Sequence, residues 1–135
     1  VQKEVADKLL AGSSQEAYSL LSVKAQYYGQ PSLAQVVPAH AFTPPPKVDS
    51  AFINLPLRKA PPYPVVDERL LFDLMRAGFA QRRKTLINAV KTVAGLESET
   101  LREVLISLGL SPTVRGEALS VEDWIRFANG CWERR

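Results

Sequence analysis

The chain has 135 residues, a net charge of +3, 46% hydrophobic residues and 23% charged residues. That length suits one domain or one and a fraction, with a real core, and the composition is that of an ordinary globular protein. Its only cysteine, Cys131, excludes an intramolecular disulfide and a cysteine-based zinc site. No apolar run approaches the roughly 18 residues needed to span a bilayer, and Gln2-Lys3-Glu4 interrupts any secretory apolar stretch. The single cysteine agrees with a reducing cytosol without demanding it; a cytoplasmic location, with no membrane and no metal partner, is the expectation. The mild positive charge permits nucleic-acid binding without requiring it.

In chain order, Val1, Val5, Leu9 and Leu10 recur at helical spacing, and Gly12-Ser13-Ser14 ends that helix. The chain opens at Val1 rather than Met and directly inside this pattern, which suggests a piece of a longer protein. A second helix is expected from Leu20 to Tyr28, stopped by Gly29-Gln30-Pro31. Leu33 to Val37 reads as a strand. Ala41-Phe42-Thr43-Pro44-Pro45-Pro46 follows, and three prolines favour an extended polyproline path. Thr43, before a proline, is pushed the same way. Such a rod would hold the Phe42 ring at a fixed angle. Val48 to Leu57 reads as a second strand, with Pro56 confined to its edge or end.

Ala60-Pro61-Pro62-Tyr63-Pro64 is a linker, and the texture after it is purely helical. Leu70, Leu71, Leu74, Met75 and Phe79 form one stripe; Leu86, Ala89, Val90 and Val93 form another. Leu101, Val104, Leu105 and Leu108 form a third, stopped by Gly109. Ser120-Val121-Glu122-Asp123 resembles a capping box, and Trp124, Ile125, Ala128, Cys131 and Trp132 supply the apolar face behind it. The expected fold class is α/β followed by all-α. Residues 1–59 form an incomplete α/β part, 60–66 the linker and 67–135 a small helical domain. Two strands make a poor sheet alone, so the first part reads as the trailing edge of a larger sheet. Its unpaired edge invites dimerisation.

Gln81-Arg82-Arg83-Lys84-Thr85 is the densest positive charge. Arg76 lies one heptad before Arg83, and Lys91 one heptad after Lys84, so a helical backbone would place them on shared faces. Such a ridge suits phosphate contacts; a solvated helix junction accounts for the same charges. Phe42 is either a presented ring or one packed on its prolines. Lys47 is either a phosphate contact or a solvated charge, and Asp49 caps a turn or faces a nearby amide. His40, the only histidine, has no nucleophile and orienting acid to form a triad. The seven glycines are scattered singly and form no phosphate-binding loop. Trp124 and Trp132, at i and i+8, are both expected in the core.

Five collinear segments resemble the small-subunit rRNA adenine dimethyltransferases, the KsgA family. They are Val1-Gln2-Lys3-Glu4-Val5-Ala6; Leu21-Ser22-Val23 with Gln26-Tyr27-Tyr28; Phe42-Thr43-Pro44-Pro45-Pro46-Lys47-Val48-Asp49-Ser50; Phe79-Ala80-Gln81-Arg82-Arg83-Lys84-Thr85-Leu86; and Arg115-Gly116-Glu117-Ala118-Leu119-Ser120. The departure lies at the front. That family's Rossmann-like domain carries a glycine-rich loop and an Asn-Leu-Pro-Tyr motif, and neither is present here. The resemblance implies the last strands and helices of a methyltransferase sheet, then a helical rRNA-facing domain.

The resemblance also implies roles. Phe42 would stack on the target adenine, and Lys47, Arg76, Arg82, Arg83, Lys84 and Lys91 would contact RNA. S-adenosylmethionine would be the cofactor of the parent enzyme, with no cofactor bound by this chain. The implied partner is small-subunit (16S) rRNA, in ribosome biogenesis. Two alternatives stand beside it: a non-catalytic RNA- or DNA-binding helical module, and an erythromycin-resistance-type enzyme acting on large-subunit rRNA.

Overall fold

A computed structural model describes residues 1–135. The chain divides into two compact units, Val1–Ala60 and Pro61–Arg135. The first holds helices α1 (Lys3–Leu10) and α2 (Leu20–Tyr28) and strands β1 (Ser32–Val37) and β2 (Ser50–Asn54). The second holds α3 (Glu68–Ala80), α4 (Leu86–Ala94), α5 (Ser98–Ser107) and α6 (Val121–Glu133). No helix is long and apolar enough to cross a membrane.

In the first unit β1 and β2 pair antiparallel, from Val37 opposite Ser50 to Ser32 opposite Asn54, with an irregularity between Leu33 and Gln35. The second strand is shorter than the expected 48–57: Val48, Leu55 and Leu57 lie outside the ladder, and Leu57 makes an isolated bridge with Gly29 instead. Val1 is not helical either. Its terminal amine donates to the Ala51 carbonyl at 2.9 Å, and its carbonyl accepts from the Ala51 amide at 2.7 Å. Val1–Lys3 thus runs along the outer edge of β2, because a strand edge offers those groups partners that a frayed helix start cannot.

Period-two alternation decides what β2 buries. Ala51 is buried on the face that α1 covers, while Phe52, pointing the other way, is 56% exposed. Leu33 and Val36 on β1 also stay exposed. The core of this unit is small: Ala6, Ala11, Tyr18, Val23, Ala25, Tyr27 and Ala51. Buried Ser22 donates its hydroxyl to the Lys8 carbonyl, and Gln26 Nε2 donates to the Ala11 carbonyl at 2.7 Å. These two bonds tie α2 to the end of α1.

The second unit is a four-helix packing whose ends are set by side chains. Asp67 accepts from the Leu70 amide at 3.1 Å to start α3. Ser120 and Asp123 form the expected reciprocal box, at 3.1 Å and 3.2 Å. Gly95 takes a left-handed φ of 66° and closes α4; Gly109 does so with φ 78° beyond α5. The linker is not a loose tether throughout. Asn129 of α6 donates Nδ2–H to the Pro64 carbonyl at 2.8 Å and accepts from the Val66 amide at 3.1 Å.

Trp124 is the centre of this core. Its indole is fully buried and meets Phe79 at a ring separation of 5.6 Å and Phe127, edge-on, at 6.4 Å. Trp132, expected beside it, is 47% exposed. Eight residues at about 100° each leave it about 80° off the Trp124 stripe, whereas Ala128 and Cys131 fall on that stripe and are buried. Burial pushes the Cys131 thiol from 9.0 up to about 12, against the opposing charges of Arg134 and Arg135. It stays protonated and packs as a small apolar group.

A Cβ on Gly78 would lie 2.5 Å from Trp124 Cη2, with the rigid ring unable to retreat. Gly78→Ala should therefore destabilise the fold by about 1–3 kcal/mol, read as a lower midpoint in denaturant or thermal unfolding. An unchanged midpoint would mean that the slot is looser than this packing requires.

Candidate nucleic-acid interface

Phe42 sits in the loop 38–49 that joins β1 to β2. Long hairpin loops are costly unless something organises them, and this one has internal bonds. Residues Ala39–Ala41 form a 3-10 turn. Within it the Ala41 amide donates to Pro38 O at 3.1 Å, and the Phe42 amide donates to Ala39 O at 3.2 Å. The Phe42 backbone is thereby fixed while its ring remains 39% exposed. The segment is not a straight proline rod: the chain bends at residues 42–44 and again at 47–48. Lys47 is exposed on the same loop.

Arg82, Arg83 and Lys84 lie in the turn between α3 and α4, all exposed. This corrects the helical ridge. The helix ends at Ala80, with Gln81 already out of helical geometry, so heptad spacing no longer relates Arg76 to Arg83 or Lys84 to Lys91. The turn is tight: the Lys84 amide donates to Gln81 O at 3.1 Å, and Thr85 caps α4 by accepting from the Asn88 amide at 3.4 Å. Three cations therefore stand at the positive end of a helix whose first turn has no acidic residue. That placement opposes the helix dipole and does not help α4 form. It favours an anion outside.

Arg76, on α3, pairs with Asp73 at 3.2 Å and lines a shallow hollow with Ala77, Ala80 and Val93. Lys91 lies two residues from Val93, about 200° round α4, and lines a different hollow with Gly95, Leu96 and Glu97. The fold does not bring these two cations onto one face. Lys91 stands in the last turn of α4, where a cation favours the helix itself.

A further cation joins the basic turn instead. The Leu86 amide donates to Val114 O at 2.8 Å, which pins the segment before Arg115 to the residue after Thr85. Gly116 is buried, and its Cβ position lies 3.0 Å from Trp124 Cζ2 and 3.5 Å from the Gly78 backbone. Exposed Arg115 is thus held near the turn that carries Arg82, Arg83 and Lys84. Charge spacing cannot reveal it, because more than thirty positions of sequence separate them; the signals near it were the adjacent glycine and the family-like segment Arg115–Ser120. No group of His, Cys, Asp or Glu residues is arranged to hold a metal ion.

The fold is shared with solved structures. It superposes on a dimethyladenosine transferase from Plasmodium falciparum with a TM-score of 0.75 at 23% identity, covering 93% of this chain and 53% of that one. It also superposes on the 23S rRNA methyltransferase ErmE with a TM-score of 0.68 at 20% identity, covering 96% of this chain and 51% of that one. A family model described as ribosomal RNA adenine dimethylase matches residues 1–131, and the chain belongs to that family. Among curated relatives, the ribosomal RNA small subunit methyltransferase A of Lactococcus lactis is 42% identical over 130 residues, which is 96% of this chain and 44% of the relative. The protein of the same name from Klebsiella pneumoniae is 45% identical over 129 residues, 96% of this chain and 45% of the relative. The chain thus spans about half the length of the curated relatives it matches.

Proposed function

We propose that this chain is the second half of an S-adenosylmethionine-dependent enzyme that dimethylates adenines of small-subunit rRNA during ribosome biogenesis. The observation that carries the reading is Phe42: an exposed ring on a hairpin loop whose backbone is fixed by its own hydrogen bonds. The family match over residues 1–131 supports it. The small-subunit assignment is favoured by relatives at 42% and 45% identity that carry that name.

An adenine exocyclic amine is a weak nucleophile, because its lone pair is delocalised into the ring. The base has to leave its stack and be held flat and correctly aimed. Phe42 stacks on one face of that base, a contact worth about 1–3 kcal/mol. Arg82, Arg83, Lys84 and Arg115 grip phosphates, which positions the RNA without reading its sequence; Lys47 adds a contact beside the ring. Recognition of a folded rRNA is then chiefly by shape.

The residues of this chain do not fit the methyl donor. Such cofactors bind outside the carboxyl ends of parallel strands, beside a glycine-rich turn. Here there are two antiparallel strands and no strand–helix–strand crossover between parallel strands. The donor site belongs to the other half of the enzyme, and the isolated chain neither binds the donor nor turns over. The exposed apolar residues Leu33, Val36 and Phe52 of the ribbon fit this division, since a larger sheet would bury them.

Three experiments test the reading. In an intact enzyme carrying this chain, Phe42→Ala should lower kcat at least about tenfold while subunit affinity changes little. Changing Arg82, Arg83 and Lys84 together to alanine should weaken binding and flatten its salt dependence by about three phosphate contacts. Loss of binding from the first variant, or loss of rate alone from the second, would reverse the roles. Calorimetric titration of the isolated chain with S-adenosylmethionine should show no saturable heat; clear saturation would refute the division of labour.

A further inference from the structure

We infer that Asp49 is the positioning residue for Phe42, acting through two consecutive hydrogen bonds across the base of the hairpin loop. The inference rests on the reading of Phe42 as the base-stacking ring. Asp49 lies at the far end of the loop from Ala39. Its Oδ1 accepts from the Ala39 amide at 2.9 Å across ten positions of sequence. The carbonyl of Ala39 in turn accepts from the Phe42 amide at 3.2 Å. One side chain thus ties down the residue whose carbonyl holds the Phe42 backbone.

Asp49 is itself anchored on the strand side. Its carbonyl accepts from the Lys3 amide at 3.0 Å, and its neighbour Ser50 pairs with Val37 on one edge and Gln2 on the other. The carboxylate therefore reaches from the firm end of the loop to the turn that bears the ring. Without it the 3-10 turn keeps only its own two weak bonds, and short 3-10 turns are marginal alone. An acceptor at this place acts as an N-cap does, satisfying a first-turn amide that has no partner within the turn. A phosphate-facing role does not fit Asp49: its charge has the wrong sign.

The test uses the full chain with 4-fluorophenylalanine at position 42, followed by ¹⁹F NMR and by hydrogen exchange at the Ala39 amide. Asp49→Ala should speed that exchange about fivefold and move the fluorine signal towards its value in the unfolded chain. Asp49→Asn, which keeps an acceptor oxygen, should preserve both. Ala39→Pro removes the donor instead; proline is tolerated at the first position of a turn, and Pro38 already has the extended ψ of 151° required before a proline. It should reproduce the fluorine change, and adding Asp49→Ala to it should change nothing more. Unchanged exchange and fluorine signals in Asp49→Ala, or a clear further shift in the double variant, would overturn the inference.

A kinetic arm separates this inference from the role of Phe42. In the intact enzyme, Asp49→Ala should lower kcat about tenfold with KM nearly unchanged, and Asp49→Asn should restore it. If the ring loosens while kcat holds, Asp49 still positions Phe42, but the ring does not serve the reaction. If the ring does not loosen, Asp49 is not its positioning residue, whatever happens to kcat.

Discussion

The indole of Trp124 meets two positions where only hydrogen fits. Gly78 comes from α3 and Gly116 from the 3-10 turn before α6, and a Cβ at either would lie 3.0 Å or less from the ring. Both segments lie close in sequence to exposed cations. Gly78 stands shortly before the basic turn, and Gly116 immediately follows Arg115. Burying one large ring therefore fixes the backbone on which four positive charges are displayed. The indole Nε1–H has no hydrogen-bond partner, an omission that costs about 1–3 kcal/mol. The ring contacts with Phe79 and Phe127 and the burial of the whole indole offset that loss.

The first unit follows a different rule. It has little core, and its loop is organised by backbone and carboxylate bonds rather than by packing. Phe42 is left exposed while its backbone is held, which suits a ring that must meet a flat ligand without searching for it. The conformational cost of ordering the loop is met before the ligand arrives, so less of the stacking energy is spent on ordering. The two units thus contribute different things to one proposed substrate: a held ring and a set of phosphate contacts.

Much of the fold was legible in the residues. The stripe from Leu70 to Met75, the glycine stop after α5 and the Ser120–Asp123 box all depend on neighbours within one helix turn, and each is present as read. Val1 and Trp132 were misplaced because periodicity records apolarity and not the partner. Val1 found a strand edge, and Trp132 fell off its stripe by a fraction of a turn. The ridge through Arg76, Arg83 and Lys91 failed for a related reason. It carried helical spacing into the junction between two expected helices, whereas the chain leaves helical geometry at Gln81.

The candidate site was legible where motif residues are contiguous, as in Phe42 and Arg82-Arg83-Lys84, and illegible where it depends on contacts across the chain. The residues allowed Asp49 to cap a turn or face a nearby amide but not the identity of Ala39 as its partner, and the bond from Leu86 to Val114 has no signature in local sequence. The central claim is that Phe42 lies against the adenine to be modified. It is tested most directly by placing 4-azidophenylalanine at position 42 in the intact enzyme, photolysing it on the unmethylated small subunit and mapping the cross-linked nucleotide. The account predicts a cross-link at an adenine that the enzyme dimethylates. A cross-link confined to other nucleotides or to ribosomal protein would contradict it.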